Sequence, residues 1–193
     1  MSETAPTIAL TDPKALRAYA HPLRMSLVGL LRREGPLTAT QAAERLGESV
    51  PNCSFHLRQL AKYGLAERVE GADGREKPWR ATAMYTSWTS ASDDPAVVEA
   101  ANALTSISME RYFDRARAYL ARSAAEPPAW RELTGSSDYM LYVTPEELRQ
   151  LHEQIEQVIA PFNDRLGADA VRPEGARAVT FFQFTMTNEG PEE

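Results

Sequence analysis

The chain has 193 residues, 43% hydrophobic and 25% charged, with one cysteine and a formal net charge of −6. That length buries a core without covalent staples, and a lone cysteine excludes both a disulfide framework and a zinc finger built on paired CxxC motifs. No apolar run reaches the roughly 18 residues of a membrane span, and Met1 to Pro6 lacks the basic-then-apolar order of a secretory signal. A globular, cytoplasmic protein with no membrane partner is therefore expected.

The charge is unevenly spread. Residues 14–80 hold 12 Lys and Arg against seven Asp and Glu, while the rest of the chain holds nine against 20. The contrast suggests a basic module attached to an acidic one.

Residues 1–10 carry no periodic pattern and read as a disordered tail. Asp12 can cap a first helix with Pro13 at its first position, running to about Ala20. Pro22 opens a second, with Leu23, Leu27, Leu30 and Leu31 on one face and Gly35-Pro36 as its stop. Thr38 and Gln41 form the capping box of a short third helix, which buries Ala42, Ala43 and Leu46 and ends at Gly47. Ser49 then caps a fourth, whose apolar stripe is Val50, Cys53, Leu57 and Leu60 and which ends at Gly64. Two short helices across a tight glycine turn make a helix-turn-helix pattern.

Leu65 to Glu70 alternates apolar and charged residues as a half-buried strand does, Gly71 to Gly74 is turn chemistry, and Lys77 to Thr82 can return as a strand with Pro78 at an edge. A hairpin placed directly after the second helix of such a motif is a wing. Residues 11–88 thus read as a winged helix-turn-helix domain.

Ser90 to Pro95 reads as a connection, followed by a linker or dimerisation helix over 95–123. Its stripe of Tyr112, Phe113, Ala116, Tyr119 and Leu120 suits packing against a second copy. A Pro127-Pro128 linker leads to a β-α-β region over 130–188. Its strands fall at Tyr139 to Val143 and Ala178 to Thr187, and its helix is capped by Thr144 and Glu147 and buries Leu148, Leu151, Ile155 and Val158 or Ile159. The expected fold class is mainly α with small β: the winged domain, a helical segment, then the small β-α-β part.

The second helix of a helix-turn-helix enters the major groove, which is wide enough to admit it. Its outer side is expected to present Asn52, Ser54, Phe55, His56, Arg58, Gln59 and Lys62. Asn52, Ser54 and His56 lie near the helix N-terminus and are the candidate base-reading residues. Arg58, Gln59 and Lys62 are placed for the DNA backbone, joined from the wing by Arg75, Lys77 and Arg80.

The stretch His21-Pro22-Leu23-Arg24, the run Leu46-Gly47-Glu48-Ser49, and the run from Ser54 to Leu65 resemble ArsR-type winged helix-turn-helix transcriptional regulators. The likeness covers about residues 12–84. It implies a homodimer that represses transcription by binding palindromic operators in double-stranded DNA, and it puts DNA-reading positions at Ser54 and His56. The region after the wing departs from the shorter members of that family and looks like the appended segment of some longer bacterial relatives.

Many ArsR-type proteins sense metals through thiolates, but the paired-cysteine motif is absent here. Cys53 falls on the apolar stripe and His56 is expected on the opposite face, so no metal or other cofactor is expected and Cys53 reads as a small core residue. His152 with Glu153 and Glu156 reads as a solvated polar face, and His21 as a helix-start or packing residue. The aromatics Trp79, Tyr85 and Trp88, with Trp130, Tyr139, Tyr142 and Phe181, Phe182 and Phe184, are accounted for by core and dimer packing. They leave a small-molecule effector as a possible further partner. No phosphate loop, activated nucleophile or ligand cluster supports catalysis, and no enzyme activity is expected. A winged helix that recruits a protein instead of DNA is the alternative. It predicts an outer face without the polar and basic set.

Overall fold

The structure, a computed structural model, describes residues 7–70, 77–167 and 170–188. Four helices build its centre: α1 (Pro13–Tyr19), α2 (Pro22–Glu34), α3 (Ala39–Leu46) and α4 (Val50–Lys62). Each starts where the local chemistry requires. The Asp12 carboxylate accepts from the backbone N–H of Lys14 and Ala15, and Thr38 and Gln41 close a reciprocal capping box. Ser49 Oγ accepts from Asn52 N–H. Such caps contribute roughly 1 kcal/mol each by satisfying donors that a helix start leaves open.

The apolar faces of these helices meet in one core, in which Leu16, Leu27, Leu57 and Leu60 are fully buried together with Cys53. Each buried leucine contributes about 1.5–3 kcal/mol. Val50, expected in the stripe of α4, is 40% exposed instead. The stripe actually runs Cys53, His56, Leu57 and Leu60, the spacing of one helical face.

Two strands follow, β2 (Ala66–Arg68) and β3 (Trp79–Ala81), antiparallel with Glu67 opposite Arg80. Val69 N–H donates to the Pro78 carbonyl at 2.9 Å and carries the ladder one step further. Leu37 and Trp79 exchange both backbone hydrogen bonds, so residue 37 lies on the far side of β3. The hairpin is the expected wing. Its turn at 71–74 and Arg75 lie outside the described residues.

The tail expected over 1–10 needs correction at its end. Residues Thr7–Leu10 form β1, which pairs in parallel with β4 (Tyr85–Trp88), and Leu10 is 4% exposed. Four residues show no periodicity of their own, and their order comes from a partner almost eighty positions away. Arg32 of α2 reinforces β4, donating from Nε to the Ala83 carbonyl and from Nη2 to Thr86 Oγ1.

After the wing, Asp94 caps α5 (Pro95–Leu120). Its first half packs on the core through Ala100, Ala101, Leu104 and Ser108, while Phe113 and Leu120 in its second half are exposed. The expected proline linker contains a 3-10 turn (Ser123–Ala125) and a short α6 (Pro128–Arg131). The helix of the β-α-β region forms as expected, as α7 (Pro145–Ile159) with the Thr144–Glu147 capping box.

Its two strands do not form. Residues 139–143 and 178–187 hold no strand, and Tyr139, Tyr142, Phe181 and Met186 are more than 70% exposed. β-rich composition describes a surface that fits a ladder, but a strand exists only where a neighbour supplies the hydrogen bonds. Nor is the apolar stripe of α7 fully buried. Leu148, Leu151 and Ile155 are half-buried, and Val158 is 70% exposed. Among the described residues, no helix is long and apolar enough to cross a membrane.

Candidate nucleic-acid interface

The α3–α4 turn sets the geometry of the site. Gly47 closes α3 in the left-handed region, at φ 68° and ψ 30°, and both Gly47 and Glu48 donate backbone N–H to the Ala43 carbonyl. This end-cap leaves two residues before α4 begins and turns the chain sharply. A Cβ at position 47 meets nothing within 4 Å, so the demand for glycine is conformational. Gly47→Ala is therefore expected to destabilise the fold by about 1–2 kcal/mol, read as a lower urea midpoint at unchanged slope.

The outward ridge of α4 consists of Phe55, Arg58 and Lys62, all exposed, flanked by half-buried Ser54 and Gln59. Phe55 is 49% exposed on this ridge. An exposed aromatic there can meet a thymine methyl group, while Arg and Gln side chains can reach base edges or phosphates. Among the described residues Arg58 has no ion-pair partner, and Lys62 Nζ lies 5.5 Å from the Tyr63 ring centroid. Both cations face solvent. Asn52 is half-buried, and its side-chain amide donates to Glu48 Oε2 at 3.0 Å, which turns it toward the α3–α4 turn.

His56 is not on that ridge. It is 7% exposed and packs against His21, ring centroids 4.5 Å apart. Position 56 lies one helical turn from Cys53 and Leu60, at the edge of the buried face, and the His21 ring gives its side chain a partner there. The expectation of an outward His56 is corrected on this ground. Helical spacing alone does not decide it, because at 100° per residue positions 50 and 56 flank the stripe of 53, 57 and 60 on opposite sides at similar angles. Phe55, expected on the outer side, lies there.

The two imidazoles share a shallow pocket lined also by Pro22, Ser26, Glu48 and Asn52. His21 Nδ1 accepts from Leu23 N–H at 3.2 Å, which caps α2 and requires that nitrogen to be unprotonated. Burial, then the Arg24 guanidinium, holds the His21 pKa below its ordinary 6.5. Burial, His21 and Arg24 do the same for His56, with Glu48 opposing in both. Both rings are thus neutral in the folded state at neutral pH. A lowered pKa means that the unfolded chain binds protons more readily, so the stability it confers is complete above about pH 6.5 and declines as pH falls below it. Unfolding midpoints are expected to drop between pH 7 and 5, and His56→Phe should flatten that drop.

On the wing, Arg80 is exposed but pairs with Glu67 across the strands at 2.7 Å, and Arg68 stacks over buried Trp79 at 4.5 Å. Lys77 is exposed at the start of the returning segment. Cys53 is fully buried, and burial raises its thiol pKa, as suits a core residue. Among the described residues, no group of three or more His, Cys, Asp or Glu is placed to hold a metal ion.

Residues 19–69 match the family model described as a helix-turn-helix domain. No curated protein matches the chain. Among solved structures, a MepR–DNA complex of Staphylococcus aureus is 21% identical, covering 58% of this chain and 84% of that one at a TM-score of 0.32. MepR described as a transcription regulator of the S. aureus multidrug efflux pump MepA is 17% identical, covering 76% and 90% at 0.29. A crystal structure of a transcriptional regulator is 20% identical, covering 72% and 80% at 0.29. Likeness at these scores assigns neither family nor function. The family match and the α3–turn–α4 geometry together make residues 19–69 a helix-turn-helix domain.

Proposed function

We propose that the chain is a sequence-specific DNA-binding transcriptional regulator of the ArsR type, which inserts α4 into the major groove. The observation that carries this reading is the solvent-facing ridge Phe55–Arg58–Lys62, held rigid by a fully buried opposite face. Ser54 and Gln59 flank the ridge for base contacts, and Asn52 contributes its free carbonyl oxygen. Lys77 and Arg80 reach for phosphates from the wing, with Arg75 completing that set. In this reading Phe55 takes the base-facing place first given to His56, and His56 supports the helix from behind.

The protein acts as a cytoplasmic homodimer that represses from a palindromic operator. One winged helix presents one reading helix, and pairing supplies the second half-site about one helical turn away. The exposed Phe113 and Leu120 of α5 support a partner contact along that helix. The acidic remainder of the chain repels DNA and so favours docking through the basic face. No catalytic step belongs to this reading.

Selection of bound sequences from random duplex DNA tests it. The expected result is a two-fold symmetric motif. Recovery of unenriched sequence at low ionic strength would refute it. The alternative, a wing that recruits protein, predicts that same failure.

A further inference from the structure

A second cavity lies away from the proposed DNA face, between β4, the middle of α5 and the chain segment after α7. Its volume is about 300 Å³, and its walls include Trp88, Ser108, Met109, Tyr112, Phe182 and Phe184. The Tyr112 and Phe182 rings stack with centroids 4.4 Å apart, which brings the late segment onto α5. Arg115 Nη2 secures the same segment by donating to Thr180 Oγ1 at 2.8 Å. This size is at the lower end of small-molecule sites, which combine apolar walls with a few placed polar groups.

Two polar groups of the walls are already paired. Trp88 Nε1 donates to Thr105 Oγ1 at 2.9 Å, and the Thr105 hydroxyl donates to the Ala101 carbonyl. Ser106 bonds back to Asn102 in the same way. Ser108 departs from this pattern. It is 4% exposed, and its Oγ has no hydrogen-bond partner among the described residues. A buried hydroxyl left unpaired costs stability, and its persistence at a cavity wall marks a place where a ligand atom can bond. No wall residue carries a charge at neutral pH, so an ionised ligand would enter without a counter-charge.

We infer that this cavity binds an uncharged, planar aromatic molecule, seated beside the stacked Tyr112–Phe182 pair and bearing one hydrogen-bonding group that meets Ser108 Oγ. The inference goes beyond DNA recognition and needs no duplex. A bound ring would fasten the late segment to α5, the helix that carries the proposed partner contact.

The test uses the full chain with N-phenyl-1-naphthylamine as a neutral fluorescent probe, displaced by 2-naphthol or by naphthalene. Saturable binding of one probe per chain is expected. Phe182→Ala should weaken it about tenfold or more, and Phe182 is 39% exposed in a peripheral segment, so folding should survive. Wild type should prefer 2-naphthol to naphthalene by about fivefold, as one hydrogen bond predicts, and Ser108→Ala should erase that preference while naphthalene displaces as before. Absence of saturable binding would overturn the inference. So would binding that both substitutions leave unchanged, because the probe would then sit on other exposed apolar surface. Neither outcome bears on DNA selection, so the two readings can fail separately.

Discussion

Arg58→Ala combined with Lys62→Ala is expected to lower affinity for duplex DNA by roughly ten- to a hundredfold, with little dependence on sequence. The two cations are exposed on α4, and Arg58 is free of ion pairs among the described residues, so their removal costs little beyond the Lys62 contact with the Tyr63 ring. Each phosphate neutralised in B-DNA releases condensed counterions. The slope of log affinity against log salt should therefore fall by about 0.9 for each contact, close to two per protomer. Binding measured by anisotropy over a salt series reads both quantities. A slope equal to wild type would mean that this end of α4 never meets the backbone. The Arg80–Glu67 pair makes Arg80→Ala a weaker test, since Arg80 already has a partner in the free protein.

Leu57→Ala is expected to have the largest effect on stability, about 2–5 kcal/mol. Leu57 of α4 is fully buried in the core, and the loss combines lost burial with an unfilled cavity. Against a total stability of about 5–15 kcal/mol for a typical domain, this can deplete the folded state. Phe55→Ala, two residues earlier, is expected to shift stability by about 0.5 kcal/mol or less and to weaken specific binding. Urea denaturation of the two variants checks the contrast. Equal destabilisation would contradict the assignment of Phe55 to the outer face. The pair tests orientation of the helix directly, because 200° of helical rotation separates the two positions.

What was legible in the amino-acid sequence was local. Asp12, Thr38 with Gln41, Ser49, and Thr144 with Glu147 act on donors within three residues, so each helix start can be read from a few letters. Gly47 and the wing strands follow the same logic. At position 56 spacing leaves the side chain at the edge of the apolar stripe, and polarity alone points it outward. Phe55 lies outside as expected, whereas His56 goes inside because of what it packs against. An imidazole can go there because its companion is another neutral ring, His21, a pairing between α4 and the start of α2 that spans 35 positions.

Order that depends on distant partners was not legible. Thr7–Leu10 is a strand because Tyr85–Trp88 runs alongside it, and no pattern within four residues announces this. The reverse error arose at 139–143 and 178–187, where strand-like composition meets no ladder partner. The second cavity has the same character. Trp88, Ser108 and Phe182 come from three separate segments, and the unpaired hydroxyl that gives the cavity its chemistry is visible in coordinates alone.

The central claim is that α4 reads the major groove, and dimethyl sulfate protection on a selected duplex tests it most directly, because guanine N7 is exposed in that groove. Protected guanines in two half-sites about one helical turn apart, lost in a Phe55→Ala, Arg58→Ala double variant, are the predicted result. Tight binding that leaves every N7 reactive would contradict the account.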